Sequence, residues 1–134
     1  MSVRVRFAPS PTGSLHLGNA LTAVANRRFA DERGGVLVLR IDDTDPTRVV
    51  EGGEEAILED LAWLGVAFEE GPVRQSGRGK LYAEAAARAL ESGGATRDDD
   101  GSLRLGQTTL LRPDGTATYQ LASVVDDLDL RITH

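Results

Sequence analysis

Six residues, Val36-Leu37-Val38-Leu39-Arg40-Ile41, constrain the fold more than any others in this 134-residue chain. A nearly continuous apolar run of strand length, stopped by Gly34-Gly35 before it and by Asp42-Asp43 after it, reads as a strand buried on both faces. Such strands belong to parallel sheets, and parallel neighbours need a crossover. The chain supplies one. Val3-Arg4-Val5-Arg6-Phe7 alternates as a first strand does, and an alanine-rich helical pattern over Leu15–Glu32 separates the two. Strand, helix, strand in this order predicts a right-handed βαβ unit, the repeat of a Rossmann-like α/β fold. Leu17, Leu21, Val24, Ala25 and Phe29 are expected to form the buried stripe of that first helix.

The connection between the first strand and the helix carries the chemistry. In Phe7-Ala8-Pro9-Ser10-Pro11-Thr12-Gly13-Ser14-Leu15-His16-Leu17-Gly18-Asn19, two prolines and a glycine forbid regular structure. The helix that follows aims its unpaired N–H groups and positive dipole end at one spot, which suits a phosphate. His16 and Asn19 stand beside it as donors, and Gly18 allows close approach of a ligand. The plainer reading is an ordinary strand-to-helix turn with Ser14 as cap and an unemployed histidine. The loop is neither the Gly-x-Gly-x-x-Gly dinucleotide pattern nor the Walker phosphate loop.

Further along, Asp42-Asp43-Thr44-Asp45 closes the second strand. Turn chemistry suffices for Asp43 and Asp45. Asp42 sits at a strand C-terminus, where open α/β sheets take their ligands, and a carboxylate there suits an ammonium group. A second helix over Glu51–Leu64 loads its first turn with Glu51, Glu54 and Glu55 and buries Ile57, Leu58, Leu61 and Leu64, with Trp63 read as packing. Val66–Phe68 reads as a connector. A third helix over Arg78–Ser92 turns Leu81, Tyr82, Ala85, Ala89 and Leu90 inward. Thr96–Gly101 reads as a polar turn, and Leu103, Leu105 and Thr108–Leu111 read as short strands about a Gly106-Gln107 hairpin turn. Tyr119, Ala122, Val125 and Leu128 are spaced for a last helix, and Ile132-Thr133 looks like the opening of another strand.

Composition narrows the function. With no cysteine there is no disulfide framework, thiol nucleophile or cysteine zinc site. The opening Met1-Ser2-Val3-Arg4 is no signal peptide and no apolar run reaches membrane-spanning length, so a cytoplasmic location without membrane contact is expected. A net charge of −6 argues against a general nucleic-acid binder, while leaving room for a local basic face.

These motifs together resemble the glutamyl-tRNA synthetases, a family of class I aminoacyl-tRNA synthetases. Arg6 to Gly13 with His16-Leu17-Gly18-Asn19 is similar to the family's opening signature. Leu39 to Asp45 with Arg48, Leu61 to Gly65, Arg74-Gln75-Ser76, Leu111 to Tyr119, and Val124 to Asp127 through Ile132-Thr133-His134 resemble its later motifs in order. The resemblance implies a Rossmann-like parallel sheet with flanking helices. It implies a single truncated catalytic domain over 1–134, with a first half of about 1–93, a shortened connection at about 94–107 and the start of a second half at about 108–134. It resembles a minimal, urzyme-like core: the lysine-rich Lys-Met-Ser-Lys-Ser-type loop and an anticodon-binding domain have no counterpart, and an open sheet edge near Ile132 would favour self-association.

The implied reaction is activation of glutamate by ATP, with its Mg²⁺, to glutamyl-adenylate, the first step of glutamyl-tRNA synthesis, weakened by the truncation. The tRNA acceptor end is the implied further partner. The resemblance assigns His16 and Asn19 to catalysis, Thr12, Gly13, His16, Gly18 and Asn19 to ATP, and Arg6, Ala8, Ser10, Asp42 and Tyr119 to glutamate, with no metal held by the chain itself. The family often carries Glu where this chain has Asp42. The alternatives are a non-catalytic ATP-binding module, a purely structural fragment, or a glutaminyl enzyme. The relative that glutamylates a tRNA base usually has a cysteine zinc site, which this chain lacks.

Overall fold

A computed structural model describes residues 1–134, which resolve into two compact units, one of residues 1–74 with 131–134 and one of residues 75–130. The first unit is built in the order β1 (Arg4–Phe7), α1 (Leu17–Glu32), β2 (Val36–Ile41), α2 (Gly53–Trp63) and β3 (Glu70–Arg74). β2 is central and pairs in parallel with both neighbours, Phe7 opposite Leu39 and Arg40 opposite Val73. Five of its six residues are buried, as a central parallel strand requires. The α/β class and the βαβ unit are as expected from the sequence. β3 has no signal in the sequence, because Glu70-Gly71-Pro72 carries no alternating pattern.

Side chains alternate across the sheet. Val5, Phe7, Leu37, Leu39 and Ile41 pack with Ala23, Ala30, Ile57 and Leu61 into one core. Arg4, Arg6, Val38, Arg40 and Asp42 fall on the other face. α2 buries the expected side, with Leu58 and Leu64 at its margin.

Three expectations fail in this unit. The stripe assigned to α1 points outward, with Leu17 87% and Leu21 68% exposed and Val24 and Ala25 also exposed, and only Phe29 of that set packs against the core. The helix instead buries Ala23 and Ala30, whose small side chains let its backbone approach the sheet. Arg27 completes that face, its stem inward and its guanidinium held by Glu69 at 2.9 Å and Asp31 at 2.7 Å. Trp63 does not pack either. It is 86% exposed, since it lies about 200° round the helix from Leu61. At the end of the chain, Ile132-Thr133 forms no strand. Thr133 instead ties to Arg4, its N–H donating to the Arg4 carbonyl at 2.8 Å and its Oγ1 accepting the Arg4 N–H at 2.9 Å.

The second unit contains α3 (Gly79–Glu91), an antiparallel sheet of β4 (Thr96–Arg97), β5 (Leu103–Leu105) and β6 (Thr108–Leu111), and α4 (Tyr119–Asp129). The Gly106-Gln107 turn joins β5 to β6 as expected. β4 corrects the polar turn expected from Thr96 onward; its two exposed residues pair with Arg104 and Leu103. Tyr82, Ala86, Leu103, Leu110, Leu121 and Ala122 lie in this unit's core.

The inward face of α4 is rotated from the expected one: Leu121, Ala122 and Asp126 are buried, while Tyr119 and Leu128 are exposed. Asp126 is the cause. Its carboxylate accepts from Gln75 Nε2 at 3.0 Å, Arg78 Nε at 2.8 Å and the Tyr82 hydroxyl at 2.9 Å, so a charge occupies a core position. Burial, reinforced by this bond to Asp126, pushes the Tyr82 hydroxyl well above the usual tyrosine range. No helix of the structure is long and apolar enough to cross a membrane.

Candidate functional site

The loop from Ala8 to His16 leaves the C-terminal end of β1 and enters α1, the end at which parallel sheets take ligands. Its two prolines are buried, while Thr12, Ser14 and His16 are exposed. Three hydrogen bonds fix its path. The Pro9 carbonyl accepts the Asp42 N–H at 2.9 Å, the Pro11 carbonyl accepts the Val50 N–H at 3.0 Å, and the Leu15 N–H donates to Asp60 Oδ2 at 2.7 Å. Gly53, the first residue of α2, lies directly against Pro11; a Cβ added there would sit 2.9 Å from the Pro11 carbonyl carbon and nearer still to its oxygen. The loop is therefore preformed, and Gly53 and Asp60 are supports that the sequence pattern did not mark.

His16, rather than Ser14, caps α1. Its backbone is extended and its Nδ1 accepts the Asn19 N–H in a long bond of 3.4 Å. With Nδ1 accepting, the neutral ring carries its proton on Nε2, which makes that nitrogen a donor. Gly18 leaves room for this ring: a Cβ there would meet His16 Cε1 and Nδ1 at 3.3 Å. The first-turn N–H groups of Leu17 and Gly18 belong to the open end of the helix, where the dipole favours an anion. Thr12, Gly13, His16, Gly18 and Asn19 thus belong to one loop and helix start.

The residues assigned to an amino acid divide between the units. Arg6, Ala8 and Ser10 run from the end of β1 into the loop, and Asp42 follows β2. Arg4 and Arg6 share a sheet face but differ in company. Arg4 grips Glu70 with both terminal nitrogens at 2.7 Å. That bond, ahead of a smaller burial effect, holds the Glu70 carboxyl below the usual carboxylate range and raises Arg4. Arg4 is thereby a structural clasp, and Arg6, two residues nearer the loop, is the half-buried cation at the strand end. Asp45 accepts the Thr47 N–H and hydroxyl and caps a short 3₁₀ turn at Pro46–Arg48, as turn chemistry predicts. Tyr119 opens α4 in the second unit and is 54% exposed, so it is no core aromatic; that place belongs to Tyr82.

Asp42 has a neighbour that the sequence pattern hid. Arg40, wholly buried within β2, donates from Nε to Asp42 Oδ1 at 2.6 Å and from Nη2 to Oδ2 at 3.1 Å. An arginine in an apolar run reads as an interruption, whereas the i, i+2 spacing with an aspartate was the available signal. Taken together, the first unit presents donors for phosphate oxygens, a cation for a carboxylate and a fixed carboxylate for an ammonium, all at the ends of β1 and β2 or in the loop between β1 and α1.

The family model for class I tRNA synthetases (E and Q), catalytic domain, matches residues 2–108. A glutamate–tRNA ligase 1 of Rubrobacter xylanophilus is 46% identical over 159 aligned positions, spanning 99% of this chain and 37% of the relative. A glutamate–tRNA ligase of Azobacteroides pseudotrichonymphae is 55% identical over 84 positions, 63% of this chain and 17% of its own. A crystal structure of a glutamate tRNA ligase from Elizabethkingia meningosepticum in complex with its amino acid matches with a TM-score of 0.87 at 26% identity, covering all of this chain and 43% of that one. The chain thus spans well under half the length of these relatives.

Proposed function

The chain belongs to the family of class I tRNA synthetase (E and Q) catalytic domains, and from that membership we propose that it activates glutamate with ATP to give glutamyl-adenylate. One α-carboxylate oxygen of glutamate attacks the α-phosphorus, the bond to the bridging oxygen breaks, and pyrophosphate leaves with its Mg²⁺. No covalent enzyme intermediate is required, so the protein's task is to position two anions and to stabilise charge on the phosphate.

The observation that carries this reading is the preformed loop, which brings His16 and the open end of α1 together on one support. His16 Nε2–H and the first-turn amides donate to the phosphate oxygens, with Thr12, Gly13, Gly18 and Asn19 around the nucleotide. Arg6 receives the side-chain carboxylate of glutamate in two hydrogen bonds, and Asp42 receives the α-ammonium, with Ala8 and Ser10 lining the amino acid. Transfer of the glutamyl group to a tRNA acceptor end follows in the longer enzyme to which the relatives correspond, and we place the reaction in the cytoplasm with the rest of translation.

The test is glutamate-dependent ATP–pyrophosphate exchange, with glutamine as the competing amino acid and His16→Ala as the control. The expected result is exchange that requires glutamate and falls by about 10²-fold in the variant, the effect of removing one positioned donor. ATP binding without exchange would make the chain a nucleotide-binding module. Failure to bind either substrate would leave a structural fragment of a synthetase.

A further inference from the structure

Arg40 is the largest fully buried side chain in the protein, and it lies in the strand that every other feature predicts to be apolar. A buried guanidinium is costly unless it is paired in good geometry. Its partner is Asp42, two residues along the same sheet face, and the side chains of both are almost completely excluded from solvent, at 0% and 5% exposure. The fork takes one hydrogen bond to each carboxylate oxygen. The Asp42 main chain is fixed as well, by its N–H to the Pro9 carbonyl. Asp42 is thus tied both to the loop that carries His16 and to Arg40.

An aspartate that merely ends a strand needs none of this. Asp45, three residues on, does its turn work by accepting the Thr47 N–H and hydroxyl. We propose that Arg40 is a positioning residue for the amino-acid substrate: acting through Asp42, it aims a short carboxylate arm at the α-ammonium group. The inference rests on the reading above, in which Asp42 receives that group. A carboxylate has about four acceptor positions, and a fork that takes one on each oxygen does not fill them all. The pairing also suits the short side chain. Aspartate reaches one methylene less than glutamate, so its direction must be set from behind, and a planar guanidinium sets it in two dimensions where a lysine would not.

The experiment is equilibrium binding of L-glutamate and of glutarate, the same dicarboxylate without the ammonium, to the 134-residue chain and to Arg40→Lys, with circular dichroism confirming the fold. Arg40→Lys keeps the buried charge and loses the fork. Glutamate affinity is expected to fall by about tenfold, the effect of losing one charge-assisted hydrogen bond, with glutarate and ATP affinities unchanged. Asp42→Asn, which leaves Arg40 in place, should lower the same glutamate-to-glutarate ratio, and the double variant should be no weaker for glutamate than Asp42→Asn alone. If glutamate and glutarate weaken together in Arg40→Lys, or neither changes, Arg40 is only a structural partner and the proposal is overturned. A wild-type chain that binds neither compound overturns the functional reading itself, and this inference with it.

Discussion

The contact between Gly53 and Pro11 makes a sharp prediction, because two effects of one methyl group oppose each other there. Gly53→Ala places an alanine at the first position of α2, where helix propensity favours it by up to about 1 kcal/mol. The added Cβ, however, falls 2.9 Å from the Pro11 carbonyl carbon, about 0.6 Å inside the ~3.5 Å at which carbon contacts become favourable. Neither side yields easily, since the Pro11 carbonyl is already fixed by the Val50 N–H and Gly53 by its own N–H to the Val50 carbonyl. Overpacking of this kind costs about 1–3 kcal/mol, so, set against the propensity gain, the clash wins and the variant is less stable by up to roughly 2 kcal/mol. Urea unfolding followed by far-ultraviolet circular dichroism reads this directly. Gly79→Ala is the control: it opens α3, meets no atom within 4 Å, and should gain up to about 1 kcal/mol. Displacement of the loop should also reduce pyrophosphate exchange, by up to ~10² for a shift near 1 Å. If Gly53→Ala and Gly79→Ala gain stability equally, the close approach is not real and the reasoning fails.

Three other variants test the rest of the site and fold. Gly18→Ala adds a helix-favouring residue but crowds the exposed His16 ring at 3.3 Å, so stability should hold or rise by up to ~1 kcal/mol while exchange falls; a rise in both would refute the ring contact. Trp63→Ser should change stability by less than about 0.5 kcal/mol, and the fluorescence of this single tryptophan should be as open to acrylamide before unfolding as after; a protected indole would contradict its exposure. Acid should destabilise the first unit through Glu69 and Glu70. Glu70 is held low chiefly by Arg4. At Glu69, burial alone would raise the carboxyl, but the Leu37 N–H and Arg27 outweigh it and the net shift is downward. Carboxyls lowered in the fold contribute stability above their unfolded value, near 4.5, and lose it as pH falls through the lower folded values. The unfolding midpoint of Glu69→Gln/Glu70→Gln should therefore decline less steeply with acid than that of the wild type, and equal slopes would rule the mechanism out.

The parts of the fold that declared themselves in sequence were those with a single dominant physical cause. β2 was legible because burial on both faces leaves an unbroken apolar run, and the loop because two prolines and a glycine admit few paths. α1 was legible as a helix but not in its orientation. Large apolar residues draw the eye, yet close packing onto the sheet selected Ala23 and Ala30, and the salt-bridged Arg27 disguised the inner face. α4 misled for a related reason: Asp126 sits inside because three donors meet it, which no hydropathy pattern encodes. In the site, His16 and Asp42 could be picked from residue type and position. Asp60 could not, since it matters through a partner 45 residues away that only the folded chain brings near, and Arg40 was masked by the apolar run around it although its i, i+2 aspartate was there to read.

The ties on the Pro9–Leu15 loop have a bearing on how such a chain varies. On the loop's side every tie is a main-chain atom: the carbonyls of Pro9 and Pro11 and the amide of Leu15. The side chains of Ser10, Thr12 and Ser14 take no part in these three ties. Shape and chemistry are therefore recorded in separable places, the shape in backbone and flanking elements, the chemistry in outward side chains. Drift or selection can rewrite what the loop recognises without redrawing the loop. A library randomised at Ser10, Thr12 and Ser14 would explore new ligands on a frame that stays put.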